Sequence, residues 1–177
     1  MATPPTCDFG LQAPDFALPG TDGKTHTLAD ISGENGTLVM FICNHCPYVV
    51  SVLDRIIADA QDLQKLGIGV AAISANDATA YPADSFDNMR KIALPFPYLY
   101  DETQATARAY AAACTPDFFG FNAKGQLQYR GRLDAASRAK RPADMRRDLY
   151  EAMAQIATTG QGPQDQVPSM GCSIKWK

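Results

Sequence analysis

The order of apolar segments along the chain predicts an α/β fold, with parallel strands at the centre of a sheet and helices on both faces. Three observations carry this. Thr37–Ile42 (TLVMFI) and Ile68–Ser74 (IGVAAIS) are short apolar runs rich in strand formers, as in strands covered on both faces. Between them, Val49, Val52, Leu53, Ile56, Ala60, Leu63 and Leu66 recur at three- and four-residue spacing and Gly67 follows, the pattern of an amphipathic helix of about 19 residues starting at Pro47. Downstream, further helical and strand-like segments alternate to the end of the chain.

Taken in order, Ala13 to Ile31 reads as a hairpin: Phe16 and Leu18 alternate with polar neighbours, Pro19-Gly20-Thr21-Asp22-Gly23 turns the chain, and Thr25 to Leu28 returns it. Gly33 and Gly36 precede the TLVMFI strand, which is expected at the sheet centre. After the second buried strand come a helix at Ser85–Ala93, a short strand at Pro97–Tyr100 and an Ala-rich helix at Thr103–Ala113. Asp117–Phe121 and Gln126–Arg132 form a strand pair across Asn122-Ala123-Lys124-Gly125, and a last helix covers Asp144–Ala157. Thr158–Pro168 is rich in Gly, Pro and Gln and reads as a surface connector to a tail, Met170–Lys177. The expected division is an N-terminal arm (1–10), one domain (11–158) and a C-terminal extension (159–177).

Composition narrows the function. With 177 residues and 46% apolar content, the chain can bury a core without help from disulfides or metals, which leaves its five unevenly spaced cysteines free for chemistry. A net charge of −3 without a run of like charges supplies no field for a nucleic-acid backbone. No stretch is long and apolar enough for a membrane span, and the N-terminus lacks the pattern of a secretory signal, so a cytoplasmic protein without a resident cofactor or metal is expected.

The chemistry concentrates in Phe41-Ile42-Cys43-Asn44-His45-Cys46-Pro47, which puts Cys46 between a buried strand and the first turn of a helix. Free amides and the dipole at a helix start favour an anion, so the expectation is an accessible, nucleophilic Cys46 thiolate. Pro47 suits the first helical turn, where its missing N–H costs nothing. A protonated His45 would add positive charge, although an exposed loop histidine is an equal reading. Cys43 completes a Cys-x-x-Cys pattern; it is either a second redox thiol or a small buried strand-end residue.

These residues, with Asn76-Asp77 and Tyr81-Pro82-Ala83-Asp84, Cys114-Thr115-Pro116-Asp117-Phe118-Phe119, Tyr129-Arg130-Gly131-Arg132 and the terminal GCSIKW, resemble the peroxiredoxin-like redoxins. That group lies in the thioredoxin superfamily near the alkyl hydroperoxide reductase and thiol-specific antioxidant proteins. The resemblance covers residues 10–177. It implies a thioredoxin-like fold with a central mixed sheet, an N-terminal hairpin, and a site where Cys46 faces a Thr115-Pro116 loop with a cis proline. A substrate chain could pair with that loop as an added strand. Cys114, two residues before the proline, is a candidate resolving cysteine or a buried helix-end thiol.

The pattern departs from both neighbouring families. Thioredoxins carry their second cysteine three residues after the nucleophile, where this chain has Val49, and a buried acid six residues before it, where this chain has Met40. Asp77 is a substitute acid or a helix cap. Peroxiredoxins carry a Thr where this chain has Cys43 and a Pro where it has Val39, and use a distant Arg, for which Arg130 and Arg132 are candidates. Three readings follow. A thiol-disulfide oxidoreductase would use Cys46 as nucleophile and Cys43 or Cys114 to resolve, with Thr115, Pro116, His45 and Pro47 around the substrate; it would act on protein or small-molecule disulfides and be recharged by a thiol reductant such as thioredoxin or glutathione. A thiol peroxidase would reduce hydroperoxides at Cys46. A metal carrier would combine Cys43, Cys46 and His45 with Cys114 or Cys172. Cys172 either folds back to the site or remains a surface thiol, and Cys7 and His26 are incidental.

Overall fold

A computed structural model describes residues 1–177. The elements, in chain order, are β1 (Ala17–Pro19), β2 (Thr25–Thr27), α1 (Leu28–Ile31), β3 (Gly36–Phe41), α2 (Pro47–Val50), α3 (Leu53–Gln64), β4 (Ile68–Ser74), α4 (Phe86–Met89), β5 (Tyr98–Tyr100), α5 (Ala105–Ala109), β6 (Cys114–Thr115), β7 (Asp117–Phe121), β8 (Leu127–Tyr129), α6 (Asp148–Thr159) and β9 (Cys172–Ser173). Five strands make one mixed sheet in the order β5-β4-β3-β7-β8, with β3 in the middle. β3 runs parallel to β4, and β4 to β5, whereas β7 is antiparallel to both β3 and β8. β1 and β2 form the expected hairpin, and a separate pair joins β6 to β9. No helix is long and apolar enough to cross a membrane.

The continuous apolar run of β3 is explained by two cores, one on each face of the sheet. Side chains alternate along a strand, so Leu38 and Met40 enter one core while Val39 and Phe41 enter the other. The first core is closed by Val49, Ile56 and Leu63 from the Cys46 side and by Leu149, Met153 and Ile156 of α6. The second is closed by Phe16, Leu18 and Ile31 and by Tyr110, whose ring meets Phe16, Phe41, Phe119 and Phe121. Burying β3 on both faces fixes the end of the strand and therefore where Cys46 emerges.

Several helices are shorter than their periodicity suggests. The expected helix from Pro47 breaks at Ser51–Val52: Ser51 Oγ donates back to Pro47 O (2.6 Å), and the Val52 N–H turns to Val49 O, three residues back. The Ser85–Ala93 helix stops at Met89 and runs out in i→i+3 turns ahead of Pro95 and Pro97. The Thr103–Ala113 helix is confined to Ala105–Ala109, because Gln104 and Ala111 take positive φ. The last helix begins at Asp148, not Asp144, because the preceding loop is engaged elsewhere. Arg55 contacts both Asp134 oxygens (2.8 Å), Arg141 reaches Asp134 and Asp59, and Arg147 reaches Asp59 and Asp62, tying the loop to α3.

Candidate active site

Cys46 ends the loop that leaves β3 and caps α2, with Pro47 at the first helical position. The loop is pinned by Asp84, which is fully buried. Its Oδ1 accepts from the Asn44 and His45 backbone N–H groups (2.8 and 3.3 Å), and its Oδ2 accepts from Asn76 Nδ2 (2.7 Å) and faces His45 Nδ1 at 2.7 Å. Across the site stands β6, followed by the cis Thr115–Pro116 bond that the resemblance implies. As a thiol, Cys46 donates to Thr115 O (3.3 Å), and Cys43 Sγ lies 3.5 Å from Thr115 Oγ1. The peptide edge and both sulfurs of the Cys-x-x-Cys segment thus converge on Thr115.

The surroundings of the Cys46 sulfur differ from the expectation. No side-chain cap bond forms at Cys46, and the Val49 and Val50 amides bond the Cys46 carbonyl (both 2.9 Å) and not its sulfur. A helix of four residues also has little dipole to offer. Cys46 is nevertheless held well below the ordinary thiol range, chiefly by the Cys43 thiol, then by the Thr115 hydroxyl and by Cys172, which together outweigh burial. Cys43 moves the opposite way, raised by the Cys46 sulfur and by burial. The two shifts run in opposite directions, so ionisation is favoured at Cys46 over Cys43. The Cys43→Ala variant removes the Cys43 thiol, so the anion becomes less favoured. The midpoint of Cys46 ionisation is expected to rise by at least about one pH unit, read by ultraviolet thiolate absorbance or by the pH dependence of alkylation. An unmoved midpoint would return the effect to the helix start.

The sulfur is also less open than expected. Cys46 is 1% exposed, because the C-terminal segment returns across it and β9 pairs with β6. This decides between the two readings of Cys172: it folds back to the site. Cys114 occupies β6 with its thiol donating to Pro116 O (3.4 Å), and burial, with Asp117 nearby, pushes its pKa up. His45 does not serve Cys46, since its ring pairs with Asp84 and stacks on Tyr81 (5.9 Å between centroids). Asp77 is neither helix cap nor site acid: its Oδ1 accepts the Thr79 N–H within a turn. The site carboxylate is Asp84, present in the quoted Tyr-Pro-Ala-Asp segment but assigned no role from sequence. Arg130 is committed to Asp117 (3.0 Å) and Arg132 to Asp148 (2.7 Å), so neither arginine serves Cys46. Of the donors proposed for a metal, Cys43 and His45 come together, but with Asp84 instead of further cysteines; the three ligand atoms lie within 4.8 Å of one another, and Asp84 is already engaged by four donors.

Sheet order, cis proline and paired cysteines define the protein as a thioredoxin-like redoxin. The AhpC/TSA family model matches residues 9–130, and the chain belongs to that family. Among solved structures, it is similar to an uncharacterized conserved protein from Geobacillus kaustophilus (42% identity, 100% of this chain and 97% of that one, TM-score 0.90). It is also similar to a hypothetical protein from Sinorhizobium meliloti 1021 (35% identity, 100% and 99%, TM-score 0.89) and to a putative thioredoxin from Neisseria meningitidis (26% identity, 83% and 90%, TM-score 0.63). A search of curated proteins finds no match. Family and fold support thiol redox activity in general.

Proposed function

We propose that the protein is a thiol-disulfide oxidoreductase in which Cys46 is the nucleophile. The observation that carries this reading is the convergence of two sulfurs on the residue before the cis proline: Cys46 Sγ lies 3.3 Å from Thr115 O and Cys43 Sγ 3.5 Å from Thr115 Oγ1, with ionisation favoured at Cys46. A thiolate is the attacking form in disulfide exchange, so the site holds its nucleophile ready at neutral pH. Beside it, Tyr48, Val52, Pro116, Phe118, Leu133 and Met170, with Arg132 and Asp134 at the polar side, line a cavity of about 170 Å³, which suits the non-reacting part of a disulfide substrate.

A peroxidase needs hydrogen-bond donors aimed at the oxygen that leaves as peroxide is split. Arg130 and Arg132 are ion-paired with Asp117 and Asp148, and Cys43 stands at the Thr position of the peroxiredoxin pattern, so the geometry favours disulfides over hydroperoxides. Stopped-flow comparison tests this. Cys46 is expected to exchange with oxidised glutathione or insulin disulfides at least about tenfold faster than a free thiol, and to react with hydrogen peroxide no faster than one. The reverse order of rates would make the protein a peroxidase.

A further inference from the structure

The strand edge just before Pro116 is where an incoming polypeptide would add beside Cys46. The chain's own C-terminal segment already lies there: β9 pairs antiparallel with β6, setting Cys172 opposite Thr115 and Ser173 opposite Cys114. The segment is fitted to this place. A Cβ on Gly171 would stand 2.0 Å from Thr115 O, so only glycine permits the approach. Ser169 Oγ donates to Pro116 O (2.7 Å) on one side. On the other, the Lys175 N–H bonds Asn76 Oδ1 (2.9 Å), Lys175 O accepts from Asp77 N–H and Gln104 Nε2, and Ile174 is buried. Between these anchors Cys172 is half-buried and stands opposite Thr115, whose carbonyl oxygen lies 3.3 Å from the Cys46 sulfur.

From this juxtaposition we infer that Cys172 is the resolving thiol for Cys46, carried on a strap that fills the substrate-strand position until a disulfide displaces it. The inference rests on the disulfide-exchange reading of Cys46. With the strap lifted, the Cys46 thiolate attacks one substrate sulfur; the substrate S–S bond breaks and its other sulfur leaves as a thiolate. When the strap returns, Cys172 attacks Cys46 Sγ, the mixed disulfide breaks, and the second substrate sulfur departs with the Cys172 proton. The substrate gains two electrons, and the protein is left with a Cys46–Cys172 disulfide, which an external dithiol reduces. Cys43 and Cys114, the resolving thiols expected from sequence, are both buried and bonded at Thr115 and Pro116.

The test uses the full chain in a Cys7→Ser background, which removes the other partly exposed thiol. Each variant is mixed with one equivalent of the aromatic disulfide dithiobis(nitrobenzoate), and the release of its coloured thiolate is followed. The parent is expected to release two thiolates in succession and to yield a Cys46–Cys172 disulfide by tandem mass spectrometry. Cys172→Ser should release the first thiolate, accumulate the mixed disulfide at Cys46, and slow the second release at least about tenfold. Gly171→Ala, which keeps both sulfurs but dislodges the strap, should speed the first release and slow the second. An unchanged second release in Cys172→Ser, or a disulfide joining Cys46 to Cys43 or Cys114, would overturn the inference. If the first release survives Cys46→Ser in the Cys172→Ser background, the underlying reading of Cys46 fails instead.

Discussion

Catalytic disulfide reduction will fall by at least about a thousandfold in the Cys46→Ser variant, while the fold is retained. Serine is the smaller, near-isosteric replacement, and its hydroxyl can donate to Thr115 O as the Cys46 thiol does. Stability should therefore change little. What disappears is the anion: a serine hydroxyl is not ionised at neutral pH by donors of this strength, and its oxygen does not exchange with a disulfide. The loss should appear in insulin reduction or glutathione-disulfide exchange with circular dichroism unchanged. Turnover retained by the serine variant would place the chemistry on another sulfur.

A second large effect is expected away from the sulfurs. Replacing Asp84 with Ala should destabilise the protein by about 3 kcal/mol, because it strips acceptors from the Asn44 and His45 amides and from Asn76 at once and leaves them facing a void. The Cys43–Cys46 loop would lose its anchor, so Cys46 alkylation should also lose its well-defined pH profile. Asp84→Asn keeps one acceptor oxygen for the backbone amides but sets an NH₂ group against Asn76 and His45, and should fall between wild type and Asp84→Ala. Denaturant unfolding of the three proteins checks the order. If Asp84→Ala matched wild type, the loop would have to be held by its covalent ends alone.

Much of the architecture was legible because it follows from local patterning. The runs TLVMFI and IGVAAIS could belong only to strands buried on both faces, and two cores, one on each side of β3, are what the structure shows. Helix lengths were less legible, since periodicity registers a buried face but not the hydrogen bond from Ser51 to Pro47 or the arginine contacts that delay α6. The proposed nucleophile was legible from position: Cys46 follows a buried strand and precedes Pro47, and that context survives the break in the helix.

Sequence by itself determined the fold class, the central strand and the Cys-x-x-Cys segment proposed for the thiol chemistry, because hydrophobic period and the Cys-Pro junction act over a few neighbouring residues. Only the tertiary structure decided which groups surround the Cys46 sulfur and what covers it. Cys43 and Cys46 share one segment, but Thr115, Asp84 and Cys172 reach it from distant parts of the chain. Proton affinity depends on the donors and charges surrounding a sulfur in space, and those are set by how the sheet edge, the Asp84 loop and the returning C-terminus pack together.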